Sequence, residues 1–228
     1  MSRNPDDVKA GVARTRERVA EAAARAGRSA DEIEIVAAIK YLDAEDLPLL
    51  HAAGITRVGE NRTDQLVTKQ DAYGDLFTWD FIGHLQSRKV KEIAGRVQLI
   101  HSLFTESTAT QIKSRSPAPQ DVLVEVNTAG DPDKDGVAPS DLDALLELLA
   151  PMHNVNVTGL MTMPAFAEDP EASRAAFAAL RTLAAAAEER WAGTHSFTQL
   201  SMGTSQDFEV AVEEGATLVR AGSVLLTP

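Results

Sequence analysis

The sequence contains no cysteine among its 228 residues, which excludes disulfides, thiolate nucleophiles and cysteine metal sites. Aromatic residues are scarce, at 5%, and no lysine-rich run interleaves with them. Basic residues are outnumbered, giving a formal net charge of −12. That charge opposes binding to polyanions, so neither a nucleic acid nor a membrane partner is expected. No apolar stretch reaches the length of a membrane span. The first residues, MSRNPDDVKAGVARTRERVAEAA, are charged throughout and lack the apolar centre of a signal peptide. The expected location is therefore cytoplasmic. Neither a dinucleotide glycine fingerprint nor a P-loop occurs. His51, His101, His153 and His195 show no ligand-like spacing to one another or to carboxylates, so no metal site is expected.

Hydrophobic residues, at 44%, suffice for a sizeable core, and 25% charged residues suit a folded surface. From about Asn4 to Gly27 the pattern is that of an amphipathic helix, with Val8, Val12, Val19 and Ala22 at helical spacing. Eight short apolar runs follow: Glu32–Lys40, Thr56–Glu60, Thr78–Gly83, Val97–Ser102, Asp121–Asn127, Val155–Met163, Ser196–Gly203 and Thr217–Ser223. Helical patterns separate them, and several runs are apolar at consecutive positions, as in strands covered on both faces. Regular β-α alternation predicts a parallel sheet. An open doubly wound sheet is the alternative, but closure is preferred because the site signals come from both ends of the series. The expected architecture is a single (β/α)8 TIM barrel over residues 1–228, with residues 1–30 forming an additional N-terminal helix packed on it.

In such barrels the site lies at the C-terminal ends of the strands, and phosphate often binds after strands seven and eight. Both loops suit an anion here. Ser201-Met202-Gly203-Thr204-Ser205 precedes a helical pattern, and Gly222-Ser223 follows the last run. The competing account makes Ser205 a helix cap and the glycines turn residues. Lys40 closes the first run; it is either a solvated boundary charge or a partly desolvated amine able to attack an aldehyde. A phosphate cup facing a lysine suits a phosphorylated aldehyde. Arg220, within an apolar run, either pairs internally with Glu60 or Glu125 or faces a cofactor's pyridine nitrogen. Asn61 either caps the next helix or donates to a cofactor oxygen, and His84 either packs on a ring or is structural. Met161 and Met163 read as core and lip packing.

These residues carry a resemblance. Gly59-Glu60-Asn61-Arg62, Phe81 to Ser87 with Lys89, Ile100-His101-Ser102, Val126-Asn127, Lys134 with Gly136-Val137, Gly159 to Thr162, and Leu200 to Gly203 with Ser205, Asp207, Phe208 and Glu209 recur in one order. With them the chain, from about Asp31 to Leu226, resembles the alanine racemase N-terminal domain type of barrel, the YggS or pyridoxal phosphate (PLP) homeostasis family. The resemblance implies that Lys40 carries PLP as a Schiff base. It also implies that Ser201, Gly203, Ser205, Gly222 and Ser223 bind the phosphate and that Arg220 faces the pyridine nitrogen. Asn61, His84 and Met161 are expected to complete the cofactor wall. The sequence departs from the family around the lysine, where Ile39-Lys40-Tyr41-Leu42-Asp43 replaces the usual Ser-Lys-Thr-Lys-Pro. It departs again at Arg220-Ala221-Gly222-Ser223, where Ser stands for Thr and Ala for Ile.

By this resemblance the protein is expected to be a monomer that buffers or delivers PLP, meeting apo PLP-dependent enzymes transiently, with no appreciable turnover. The alternative is an amino-acid racemase, which needs a base on each face of the cofactor. Only Tyr41 and Tyr73 are available as tyrosines, and alternation on a strand predicts that Tyr41 points away from Lys40. A phosphosugar aldolase without PLP is a third reading. Lys134 is either a rim contact for PLP or a solvated loop residue among Asp131, Asp133 and Asp135.

Overall fold

A computed structural model describes residues 3–227. Helix α1 (Pro5–Arg25) begins where Asn4 accepts a hydrogen bond from the Asp6 N–H at 3.1 Å, with Pro5 in the first turn. Its buried stripe, Val8, Val12, Val19, Ala22 and Ala23, is the stripe read from the sequence. Gly11 lies in that stripe because the carbonyl oxygens of Leu225 and Thr227 pass 2.7 Å from where a Cβ would stand. The helix is thereby clamped to the chain's last turn.

Eight strands alternate with the remaining helices among the described residues: β1 (Glu34–Ala38), α2 (Leu47–Ala52), β2 (Arg57–Glu60), α3 (Thr63–Tyr73), β3 (Thr78–Phe81), α4 (Val90–Ile93), β4 (Leu99–Leu103), α5 (Glu106–Arg115), β5 (Gln120–Glu125), α6 (Leu142–Leu149), β6 (Val155–Met161), α7 (Arg174–Arg190), β7 (Gln199–Thr204), α8 (Phe208–Glu213) and β8 (Leu218–Ala221). All neighbouring strands pair in parallel, and β8 returns to β1 with Val36 opposite Arg220, which closes the barrel. Each apolar run expected to be a strand overlaps one. Among the described residues no helix is long and apolar enough to cross a membrane.

Strand periodicity divides the core in two. Outward positions such as Ala37, Phe81, Ile100, Val122, Val124, Leu200 and Val219 pack under the helices. Inward positions form a smaller cluster of Val36, Leu99, Leu123, Met161 and Leu218, with Ile82 against it. Two residues on from Leu99, Leu123 and Leu218 stand His101, Glu125 and Arg220. The inward face therefore turns from apolar to ionisable toward the strands' C-terminal ends, the end where a barrel places its site.

Candidate functional site

A cavity of about 680 Å³ opens at that end, within the range of about 300–1,000 Å³ typical of small-molecule sites. Lys40 lies on its wall and is solvent-exposed. The strand stops at Ala38, so Lys40 sits in a turn rather than closing β1, a correction to the sequence reading. That turn is held from below. The Ile39 carbonyl accepts from Leu42 N–H at 3.0 Å and from Lys69 Nζ at 2.9 Å. Lys69 is buried and pairs at 2.6 Å with Glu60, whose other oxygen accepts from the Asn61 and Arg62 N–H groups. One ion pair thus fixes the C-terminal ends of both β1 and β2. Glu60 is committed to Lys69 and is not the partner of Arg220.

The turn also overturns the expectation for Tyr41. Alternation applies to extended chain, and here the Lys40 ammonium stands 4.7 Å from the centre of the Tyr41 ring. Both residues face the cavity mouth.

Behind the mouth a polar chain crosses the barrel interior. Arg57 donates to both oxygens of Asp80, at 2.7 and 3.2 Å, and to the half-exposed Glu34 at 2.7 Å. Asp80 meets His101 Nε2 at 3.0 Å, His101 Nδ1 meets Ser201 Oγ at 2.9 Å, and Arg220 donates to Ser201 Oγ at 2.5 Å. Burial drives the His101 pKa down, with Asp80 opposing in part, so burial favours the neutral ring. The ion-paired Asp80 can only accept, so Nε2 carries the proton and Nδ1 takes the Ser201 hydroxyl hydrogen. Ser201 then has a lone pair free for Arg220. Every hydrogen has one assignment.

This chain corrects the expectation for Ser201. Its hydroxyl is fully buried, points into the barrel and does not line the cavity. It orients Arg220, whose second nitrogen donates to the Thr162 carbonyl at 3.0 Å. Burial lowers the Arg220 pKa to about 10, with Glu125 and Asp207 resisting from a distance. It remains cationic at neutral pH, with no carboxylate of a described residue in contact.

The other expected phosphate residues do surround one corner of the cavity: Gly203, Ser205, Gly222 and Ser223. Gly203 has φ +84°, and a Cβ there would meet the Ala211 side chain at 2.5 Å, so a glycine is required. Ser205 Oγ accepts from the Gly222 N–H at 2.9 Å, tying the two loops together. Asp207 occupies the Thr204 N–H at 2.7 Å. The N–H groups of Ser205, Gln206 and Ser223 bond to no other described residue. Two loops that converge on free N–H groups and hydroxyls fit a phosphate.

Asn61, His84 and Met161 line the cavity as well. Gly83 touches the Asn61 backbone so closely that no Cβ fits, and its carbonyl accepts from Ser102 Oγ at 2.5 Å, which aligns the ends of β2, β3 and β4. His84 Nδ1 contacts Asp135 at 2.7 Å, and its ring meets Phe104 edge-on. The loop after β5 folds back through a bridge between Val126 and Val137, bringing Asp133, Lys134 and Asp135 to the wall above Glu125. Burial, with Asp135 adding, raises the Glu125 carboxyl to about 7 against the pull of Arg220 and His84. Tyr41, Met163 and Phe166 leave large apolar surfaces exposed at the lip.

The sequence reading missed Lys69, Asp80 and Ser102, and weighed Glu125 only as a mate for Arg220. A strand carboxylate at an inward position, such as Asp80, is the signal that could have exposed the interior chain.

The chain is similar to known proteins along its length. The family described as alanine racemase, N-terminal domain, matches residues 12–227. A pyridoxal phosphate homeostasis protein of Aquifex aeolicus is 41% identical over 218 residues, covering 94% of this chain and 95% of the relative. One of Pseudomonas aeruginosa is 37% identical, covering 94% and 92%. Among solved structures, PipY of Synechococcus elongatus with PLP bound is 31% identical with a TM-score of 0.80, covering 91% of this chain and 99% of that one.

Proposed function

The chain belongs to the alanine racemase N-terminal domain family, among the pyridoxal phosphate homeostasis proteins, and from that premise we propose that it holds PLP on Lys40 and passes it on without turning over a substrate. The observation that carries this reading is the corner where the β1 turn meets the β7 and β8 loops. There an accessible lysine, a phosphate-sized set of free N–H groups and a carboxylate-free Arg220 share one cavity. The identity with PipY, whose structure has PLP bound, supports the same ligand.

When bound, PLP supplies an aldehyde for a lysine amine and a phosphate for an anion cradle. Ser205, Gly222, Ser223 and the free N–H groups beside them take the phosphate. Gly203 lets the first loop approach closely, and Ser205 joins it to the second. Asn61, His84 and Met161 flank the ring. Arg220, its aim set by Ser201, would present a donor to the pyridine nitrogen. A cation there keeps that nitrogen unprotonated and the ring a weak electron sink, which favours holding over carbanion chemistry. Lys40 lies in an exposed turn, so a ligand on it is releasable. Delivery to apo PLP-dependent enzymes by transient contact, as a cytoplasmic monomer, completes the reading.

Borohydride reduction of the PLP-loaded protein should fix the cofactor to Lys40, and Lys40→Ala should abolish the adduct and the visible absorption. A full-strength adduct on another lysine would refute the assignment. One observation favours a second reading, a racemase: Tyr41 lies beside Lys40 rather than away from it. Deuterium exchange at the α-carbon of alanine separates the two, because a carrier gives none that depends on Lys40 and Tyr41.

A further inference from the structure

Three carboxylate side chains are buried among the described residues: Glu60, Asp80 and Glu125. Glu60 bonds to Lys69 and Asp80 to Arg57 and His101. Glu125 is only 8% exposed, yet its side chain makes no hydrogen bond or ion pair with any described residue. Its stem is fixed by Gly136, where a Cβ would stand 3.2 Å from the Glu125 Cγ, and its backbone carbonyl accepts from the Val137 N–H at 2.9 Å. The carboxyl faces the cavity. A sheltered carboxylate without a partner is costly unless something completes it.

The surroundings define what completes it. Facing Glu125 are Asp135, His84 and Arg220, and Lys40, Asp133 and Lys134 line the same cavity. Arg220 directs one N–H to Ser201 and one to Thr162, and no hydrogen bond or ion pair joins it to Glu125. Asp133 and Asp135 add negative charge, so an anion is repelled from this wall. No group of three or more histidine and acidic side chains among the described residues is arranged to hold a metal ion. A compact organic cation remains. In a barrel closed in the order β1 to β8, Glu125 at the end of β5 stands across the cavity from Lys40 after β1.

We propose that Glu125, with Asp135 above it, is a docking point for the ammonium group of a small primary amine, held across the cavity from Lys40. The inference rests on the PLP reading for its purpose, since a second amine facing the Lys40 site is the reagent that exchanges with a lysine for a carbonyl. The docked ion pair is the resting form; as the amine attacks, R–NH3+ passes one proton to the Glu125 carboxylate, an N–H bond breaking and an O–H bond forming to give R–NH2 and Glu125–COOH. The neutral amine is the nucleophilic form. A carboxyl raised to about 7 accepts that proton more readily than an ordinary one.

The test has two arms. In the first, PLP-free protein is titrated calorimetrically with ethylamine, with ethanol and acetate as controls, at pH 7 and pH 9. Ethylamine should bind saturably, with proton release near pH 7 that fades at pH 9. Glu125→Gln should weaken binding at least tenfold, Glu125→Asp should recover part of it, and Asp135→Asn should weaken it less. Equal ethylamine affinity in wild type and Glu125→Gln, with both folded by thermal melting, would overturn the proposal. In the second arm, ethylamine is added to PLP-loaded protein and the visible spectrum followed. The rate should saturate with amine in wild type and rise linearly in Glu125→Gln; linear behaviour in both would also overturn it. If no PLP spectrum forms at all, the PLP reading fails, while the first arm still decides the amine site.

Discussion

Across the barrel floor, hydrogen bonds link Arg57, Asp80, His101, Ser201 and Arg220 in a row, with the Asp80 carboxylate accepting from both of its neighbours. On β5 the buried Glu125 receives none from any described residue. Both regions place charge at inward strand positions, where burial is expensive. On the floor each charged group bonds to its neighbour, so the ionic groups fix one arrangement and aim Arg220. On the wall the charge is left open to the cavity. A buried group that the protein completes is a structural part, and one that it leaves incomplete is available to a ligand.

The comparison breaks most visibly at the floor. Asp80→Ala leaves His101 Nε2 without its acceptor and Arg57 with only the half-exposed Glu34. Removing one partner of a buried pair typically costs about 3–5 kcal/mol. A loss of that size should appear as a lower urea midpoint with an unchanged slope. A loss below about 1 kcal/mol would mean the chain does not hold the barrel together.

Glu125→Gln should act with the opposite sign. The folded carboxyl titrates at about 7, above the ordinary value of 4.5. A raised acid binds more protons folded than unfolded, so its unfavourable contribution is absent below pH 4.5 and grows as the pH rises to 7. The full difference is on the order of 3 kcal/mol, from 1.36 kcal/mol per pKa unit. The variant should therefore match wild type near pH 4.5 and exceed it in stability at pH 8. Urea titrations at the two pH values check this, and equal pH dependence in both proteins would show that Glu125 is not strained.

Much of this was legible in the sequence, and the rest was hidden for physical reasons. Consecutive apolar residues flanked by glycine and helical patterns exposed all eight strands, because both faces of each are buried. Nine of the ten expected site residues line the cavity, since loops at strand ends are read locally. Ser201 failed because one residue of register decides whether a hydroxyl enters the barrel or the mouth. Tyr41 failed because β1 ends two residues before Lys40, and alternation ends with it. Lys69 was invisible because a lysine on a helix looks solvated until the helix is docked. Glu125 was seen as a mate for Arg220; that Arg220 turns instead to Ser201 and Thr162 depends on partners far along the chain.

The two serines of the floor and the cradle sharpen the same contrast at ligand level. Ser223 lines the phosphate corner, and Ser201 acts only through Arg220. Ser223→Ala should weaken PLP by about 1–3 kcal/mol, the size of a charge-assisted hydrogen bond, and leave pyridoxal nearly unaffected. Ser201→Ala should weaken PLP and pyridoxal alike, because it disturbs the ring's partner and not the phosphate's. Fluorescence titrations with both ligands distinguish the patterns. A phosphate-selective loss in Ser201→Ala would return that serine to the cradle.

The smallest expected effect lies at the rim. His84 and Asp135 pair at 2.7 Å with both side chains about half exposed. Water and salt screen such a pair, so Asp135→Asn should change global stability by less than about 1 kcal/mol. Its effect on Glu125 should be larger than its effect on the fold, because Asp135 is the charge that, after burial, pushes that carboxyl upward. Carbon-13 NMR of the glutamate carboxyls should show the Glu125 midpoint moving down from about 7 in Asp135→Asn while the urea midpoint stays in place. The shift should shrink as salt is added only as far as the solvent reaches both groups. A midpoint that does not move would leave burial as the whole cause and remove Asp135 from the amine site, with Glu125 standing alone on the wall.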